Sequence, residues 1–139
     1  ASSSASARDV FLFDLESTEM DGFAGRRLAI SGTRDLLLES KNAGKPYGAG
    51  PDFQQAAGSR TPLPTGRWVS IRIEVDVSRD STGGAKIWQD GVLVLDRRGR
   101  TFPQEAEFTR YDWLEFGLTA NASPYPQSLW MDEITIGIE

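Results

Sequence analysis

The chain contains no cysteine and no histidine among its 139 residues. Without cysteine, a disulfide framework and thiolate zinc sites are excluded. Without histidine, the commonest general base and the commonest transition-metal ligand are missing. Any catalysis must therefore use carboxylates, tyrosine, lysine, arginine or serine. Any metal would be a hard, oxygen-bound ion such as calcium.

Long apolar runs are also missing. No segment approaches the roughly 20 apolar residues of a membrane helix, so no membrane span is expected. Residues 1–8, ASSSASAR, lack the apolar stretch of a signal peptide. Their small, polar composition is typical of a linker or a cut surface loop.

Basic charge is scarce as well, because 15 Lys and Arg residues against 20 Asp and Glu residues give a net charge of -5. Arg97, Arg98 and Arg100 form one basic cluster beside a hairpin, without interleaved aromatic residues. We interpret it as a solvated loop, and we predict no nucleic-acid partner.

What the chain does have is strand periodicity. Arg67–Val77, RWVSIRIEVDV, places Val69, Ile71, Ile73, Val75 and Val77 on one side and polar residues on the other. This alternation predicts a half-buried antiparallel strand. Further strands are predicted at Val10–Leu15, Arg27–Ser31, Asp35–Ser40, Asp112–Ala120 and Leu129–Glu139.

The stretch KIWQDGVLVLD, residues 86–96, predicts two strands around an Asp90-Gly91 turn. Ile87, Val92 and Val94 suit a buried face, and Trp88 is expected on the opposite face with Leu93 and Leu95. Trp88 there has three interpretations: a sugar platform, a contact for another chain, or a second layer of core in which it packs on Leu93.

Residues 41–65 are rich in Gly, Pro and Ala and show no period, which predicts a long surface loop. Tyr47 and Phe53 are expected to pin it. No helix and no internal repeat are visible. We therefore predict one domain over residues 9–139, an all-β, jelly-roll-like sandwich of two antiparallel sheets.

The order of three motifs resembles the concanavalin A-like superfamily, in particular laminin-G-like domains and polysaccharide lyases. The motifs are Trp68 opening a strand, IWQDG at 87–91, and MDEITI at 131–136. The resemblance is clearest from Gly66 onward. Such sandwiches are longer than this chain, so one hypothesis is that early strands come from a second chain, a cleaved precursor or self-association. The alternative is a compact variant with fewer strands.

The resemblance implies a polysaccharide or oligosaccharide ligand on the concave sheet face, bound by stacking and hydrogen bonds and gated by the 41–65 loop. It also implies an extracellular or cell-surface location, with the periplasm as the alternative. Outward residues expected to contribute are Arg72, Glu74, Lys86, Trp88, Trp113 and Glu115. The leading interpretation is a non-catalytic carbohydrate-binding or adhesive module.

Two alternatives remain: a polysaccharide lyase or glycoside hydrolase, and a structural domain that assembles with another chain. For hydrolysis, Glu16, Glu19 and Asp21 have the wrong spacing for a carboxylate pair on one strand face. For elimination, WLEFGLTAN resembles a lyase segment of the FKFGIY type. In that resemblance Glu115 replaces the lysine, and Thr119 lies near the expected tyrosine.

The resemblance further implies a structural calcium ion held partly by an acidic residue of the last strand. Asp132 matches that position. Because calcium takes six to eight oxygen ligands, Asp132 alone cannot hold the ion. The alternative is a strand-edge carboxylate that accepts hydrogen bonds from a turn.

Overall fold

The computed structural model describes residues 10–19, 24–41, 53–102, 110–119 and 128–138. In these residues the chain forms seven strands and no helix. The strands are β1 Val10–Glu16, β2 Gly25–Ile30, β3 Leu36–Lys41, β4 Ile71–Asp76, β5 Gly84–Gln89, β6 Val92–Arg98 and β7 Trp113–Thr119. The described part of the chain accordingly offers no helix with the length and apolar character needed to cross a membrane.

The strands form two antiparallel sheets. The larger sheet has the order β3-β2-β1-β7, and the smaller has the order β4-β5-β6. Their facing sides share one core, in which Leu28 and Leu38 of the larger sheet meet Ile87 and Leu95 of the smaller. The prediction of an all-β, two-sheet antiparallel sandwich is confirmed.

In β4, the strand with the clearest predicted alternation, the apolar residues face the core as expected. Ile71, Ile73 and Val75 of β4 lie against the core and are half-buried. Because successive side chains alternate across a strand, Arg72 and Glu74 point away from the core. The strand is shorter than predicted, because residues 67–70 precede the first hydrogen-bonded pair.

A β-bulge corrects the prediction for the hairpin of β5 and β6. Trp88 pairs with Leu93 as expected, but Ile87 pairs with Leu95, so Val94 is the extra residue. The bulge turns Leu95 into the core, where it is buried, whereas the prediction placed it beside Trp88. Val92, predicted to be buried, is exposed next to the turn.

One flank of the sandwich is closed by residues 53–55. Phe53 and Leu38 exchange two backbone hydrogen bonds of 3.0 Å, and Phe53 is buried in the core. The Nε of Arg97 in β6 donates to the carbonyl of Gln54 over 3.1 Å. This segment therefore ties β3 to β6. The expected anchoring by Phe53 is confirmed, while Tyr47 lies outside the described residues.

A buried arginine fastens the two sheets at one end. Arg26 donates to the carbonyls of Thr101, over 2.8 Å, and Arg100, over 2.7 Å. The Thr101 hydroxyl donates to the carbonyl of Asp76 over 2.9 Å and accepts from the N–H of Ser78 over 2.6 Å. Arg26 belongs to the larger sheet and Asp76 to the smaller, so Thr101 links the two.

The predicted last strand is not formed. Residues 128–138 pair with no strand in the described structure, and their side chains are exposed. Glu133 has a φ of 53°, which interrupts the extended backbone that a regular strand needs. The prediction of a strand over Leu129–Glu139 is therefore wrong for this structure.

Candidate functional site

A row of charged side chains crosses the outer face of the larger sheet. Glu39, Arg27, Asp14 and Glu115 are successive cross-strand partners on β3, β2, β1 and β7. Arg27 is only 1% exposed, and its guanidinium carbon lies 4.3 Å from the centroid of the Phe11 ring. Asp14 and Glu39 are buried, whereas Glu115 at the end of the row is exposed. The row is thus buried on β1, β2 and β3 and accessible to solvent at β7.

A second row runs parallel to the first and consists of Lys41, Gly25, Glu16 and Trp113. Because Gly25 has no side chain, Lys41 reaches across β2 and forms an ion pair with Glu16. Desolvation by burial raises the pKa of Glu16 despite the opposing hydrogen bond and charge of Lys41. The carboxylates of Asp14 and Glu115 raise this pKa further. Several acidic groups therefore act on one another across this face.

The exposed end of both rows is shaped by Asp112, directly before β7. Its carboxylate accepts from the N–H and the hydroxyl of Thr18, each over 2.8 Å. These bonds lower the pKa of Asp112 and keep the carboxylate ionised. Because Asp112 also donates its own N–H to the carbonyl of Glu16 over 3.0 Å, the turn after β1 is fixed to the start of β7. Trp113 follows and is 49% exposed.

The combination of Trp113 with these rows has the chemistry of a sugar subsite. An indole face suits the C–H side of a pyranose ring, and neighbouring carboxylates suit its hydroxyl groups. We call the face formed by Trp113, Glu115, Glu16, Lys41 and Asp112 the β7 face. The buried part of the first row, beside this face, helps to hold the strands in register, because the Nε of Arg27 lies 3.4 Å from the Oε2 of its cross-strand partner Glu39.

The outer face of the smaller sheet carries the other predicted residues. Arg72 pairs with Trp88, and Glu74 pairs with Lys86, on adjacent strands. The Arg72 guanidinium lies 5.0 Å from the centroid of the Trp88 ring and also forms an ion pair with Glu74. One face of the indole is thus already covered by a cation.

Next to these residues lies a shallow polar depression. Asp96 stands opposite Lys86, and the Nη1 of Arg98 lies 2.8 Å from the Oδ2 of Asp76. Acidic and basic groups alternate across the three strands and neutralise one another. Such exposed pairs contribute little to stability, typically up to about 1 kcal/mol each.

The six predicted ligand-binding residues therefore do not form one site. Arg72, Glu74, Lys86 and Trp88 lie on the outer face of the smaller sheet. Trp113 and Glu115 lie on the outer face of the larger sheet, on the far side of the core. Alternation within each strand identified the outward residues, but it carries no information on which sheet a strand joins.

Asp132 lies apart from both faces, in the exposed segment 128–138. Its Oδ1 accepts the N–H of Glu133 over 2.9 Å, as in a local turn. No group of three or more acidic side chains in the described ranges is arranged to hold a metal ion. A calcium site at Asp132 stays a prediction.

Sequence reasoning missed the charged row, in particular Asp14, Arg27 and Glu39, and with it Glu16 and Lys41. The signal was present: each of VFLFDLE, GRRLAI and LLLESK places charged residues among apolar ones in a strand. Charges at such positions predict a polar second face on a sheet. Their alignment into rows depends on the register, which the sequence does not state.

Tyr111 is a poor general base. Tyr111 donates its hydroxyl to the carbonyl of Thr101 over 2.7 Å and stacks on Phe102 with ring centroids 5.0 Å apart. Burial raises the pKa of Tyr111 far above its usual value, so the hydroxyl holds its proton. Tyr111 therefore has a structural role, while Tyr47 and Tyr125 lie outside the described residues.

Two packed antiparallel sheets are consistent with the concanavalin A-like sandwiches that the motif order resembles. The chain belongs to the polysaccharide lyase family, whose model matches residues 31–135. No curated protein and no solved structure matches the chain. The family membership assigns the protein a carbohydrate-related role.

Proposed function

We propose that the chain binds a neutral polysaccharide on the β7 face without cleaving it. The observation that carries the proposal is the exposed indole of Trp113 beside a preorganised set of charged groups. Trp113 adjoins Glu16 across the β1/β7 pair, and Glu115 adjoins the buried Asp14. A sugar ring stacked on Trp113 would reach the exposed carboxylate of Glu115 with its hydroxyl groups, whereas Asp14 and Glu16 are buried beside it.

Charge supports a neutral ligand. The two rows contain four carboxylates, of Asp14, Glu16, Glu39 and Glu115, against the two cations of Arg27 and Lys41. The whole chain has a net charge of -5. A polymer of uronate units would bring further negative charge to an acidic face, which disfavours its association.

The β7 face is favoured over the outer face of the smaller sheet for two reasons. Trp113 is half-exposed, whereas Arg72 covers one face of Trp88. In addition, the strand with Glu115 is the one that resembles the lyase segment of the FKFGIY type.

The experiment is a titration of intrinsic tryptophan fluorescence with a panel of neutral and uronate oligosaccharides. We expect a saturable change with a neutral member. We expect Trp113→Ala to weaken binding roughly tenfold or more, which corresponds to about 1.4 kcal/mol. Trp68→Ala, at another exposed tryptophan, is the matched control and should bind normally.

Trp88→Ala tests the competing face of the smaller sheet. If it removes binding while Trp113→Ala does not, the location proposed here is wrong. If no oligosaccharide changes the fluorescence and none binds in isothermal titration calorimetry, the binding function itself is wrong. Thermal unfolding of each variant shows whether a loss of binding reflects a loss of fold.

A second candidate is polysaccharide cleavage by β-elimination, the type of reaction that the name of the family indicates. In that reaction a base removes the C5 proton of a uronate, the C4–O4 bond breaks, and a C4–C5 double bond forms while O4 takes up a proton. The candidate requires a base, and Tyr111 is not available for that role. Ultraviolet absorbance of the new double bond, measured on a panel of uronate polymers, tests it. We expect no increase.

A further inference from the structure

Among the described residues the two sheets differ by one strand, and the difference leaves one flank of the described sandwich open. β3 approaches β6 at the flank closed by Phe53. Counting away from that flank, the larger sheet continues with β2, β1 and β7, and the smaller with β5 and β4. β7 therefore has no strand opposite it in the described structure.

Apolar side chains at this flank are exposed because no strand covers them in the described structure. Phe116 of β7 stacks on the core residue Phe13, and Leu118 follows two residues later, yet they are 40% and 38% exposed. Across the gap, Ile73 of β4 is half-buried, whereas Ile87 on the neighbouring strand is fully buried. Apolar groups that face a core and remain accessible mark a contact surface.

At the same flank, one edge of the smaller sheet has backbone groups without a neighbouring strand in the described structure. β4 is the edge strand of the smaller sheet, and it has no hydrogen-bonded neighbour on its outer side among the described residues. A row of free N–H and C=O groups on an edge strand is a template for one more strand. A strand added beside β4 would lie opposite β7 and cover Phe116 and Leu118.

The chain itself carries a segment with the matching pattern. In residues 134–138, ITIGI, the apolar residues Ile134, Ile136 and Ile138 alternate with Thr135 and Gly137. This period of two is that of a strand with one buried face. Nevertheless the segment is unpaired, and Ile138 is 96% exposed.

We propose that residues 134–138 of one copy add to the edge of β4 in a second copy, and that the exchange is reciprocal. Within one chain the segment and the flank remain separate, so neither covers the other. Two copies related by a two-fold axis satisfy both surfaces at once and form a closed dimer. Main-chain hydrogen bonds to β4 give the affinity, and the three isoleucines fill the gap above Phe116 and Leu118.

The test compares variants of the full chain by size-exclusion chromatography with light scattering over a range of concentrations. The wild type should have twice the chain mass. Ile136→Asp disrupts the added strand, and Leu118→Asp disrupts the surface that receives it. Each should give the mass of one chain. Thr135→Asp introduces the same charge on the other side of the segment and should remain dimeric.

Mixing the two disruptive variants distinguishes exchange from unspecific association. In a mixture, the intact segment of the Leu118→Asp chain can add to the intact flank of the Ile136→Asp chain. We expect part of the material to return to twice the chain mass. Failure of the mixture to associate would contradict a reciprocal exchange.

Two further outcomes would overturn the proposal. The first is a wild type with the mass of one chain at all concentrations. The second is an Ile136→Asp variant that keeps the wild-type mass but unfolds at a lower temperature, because that result would place the segment on its own β4. Both Ile136 and Leu118 are exposed in the single chain, so the variants are expected to fold.

Discussion

The Oε2 of Glu39 lies 3.4 Å from the Nε of Arg27, and the two residues are direct partners across the β2/β3 pair. Both side chains are nearly inaccessible to solvent. Removing one member of a buried ion pair removes part of the compensation for the other charge, and this typically costs about 3–5 kcal/mol. The pair thus makes the register of β2 and β3 sensitive to single substitutions.

For Glu39→Gln we expect a free energy of unfolding lower by about 3 kcal/mol, measured by urea denaturation. The double variant Arg27→Met/Glu39→Leu replaces both charges with apolar groups and should lose less than Glu39→Gln alone. A Glu39→Gln protein with wild-type stability would show that the pair contributes nothing.

Gly25 is expected to tolerate no side chain. A methyl group added there would overlap the backbone of Leu15 and Glu16 on β1. Gly25→Ala should therefore destabilise the protein by about 1–3 kcal/mol, as overpacking usually does. Gly58→Ala is the control, because open space surrounds that position. Equal melting temperatures for the two variants would contradict the close approach of β1 and β2.

Thr101→Val tests the link between the sheets. Valine has a similar shape but loses the hydroxyl, which leaves the Ser78 N–H and the Asp76 carbonyl without this partner. We expect a loss of about 1–3 kcal/mol in the free energy of unfolding. Thr82→Val, which removes an exposed hydroxyl that donates to Asp80, should have a much smaller effect.

Glu16 should give the protein a characteristic pH dependence. Its pKa is raised in the folded state above the ordinary value of 4.5, chiefly because burial disfavours the charged form. As the pH rises above 4.5, the unfolded chain therefore releases the proton before the folded chain does. The stability that this group contributes is fully present below pH 4.5. It decreases as the pH rises and stops decreasing once the pH exceeds the folded-state pKa.

The comparison with Glu16→Gln isolates this contribution, because the other titrating groups are common to both proteins. The stability of the variant relative to the wild type should increase between pH 4.5 and neutral pH. A relative decrease over that range would mean that Lys41 outweighs the cost of burial. Urea denaturation at several pH values measures the difference.

Glu115→Lys tests the electrostatic part of the proposed specificity. The substitution changes four carboxylates and two cations on the two rows into three of each. We expect binding of uronate oligosaccharides to increase several-fold, and the increase should weaken with added salt. Glu74→Lys makes the same charge change on the other sheet and should leave uronate binding nearly unaltered.

The sequence predicted the architecture where side chains alternate without interruption. The row of Ile71, Ile73 and Val75 and the Asp90-Gly91 turn follow from periodicity and turn chemistry alone. The side of the sheet on which Leu95 lies could not be predicted, because the bulge at Val94 shifts the alternation by one residue. A bulge of this kind leaves no mark in the apolar pattern of VLVL.

The candidate site was predicted in part for a similar reason. Trp113 and Glu115 were identified as outward residues from their own strand. Their neighbours Glu16 and Asp14 lie about a hundred positions earlier, and only the pairing of β1 with β7 brings them together. In residues 128–138 the alternation predicted a strand, but a strand also needs a partner edge, which the pattern of one segment does not specify.

The pairing of β1 with β7 also determines the order in which the molecule can be completed. β1, β2 and β3 are contiguous hairpin partners within residues 10–41 and can associate as soon as the ribosome releases them. The other edge of β1 then remains unpaired until residues 113–119 are available to pair with it. Nascent chains therefore expose this edge until residues 113–119 have been synthesised, and the pairing of such distant segments is itself slow. Ribosome pausing within residues 42–112 would prolong the exposure and increase the demand for chaperones.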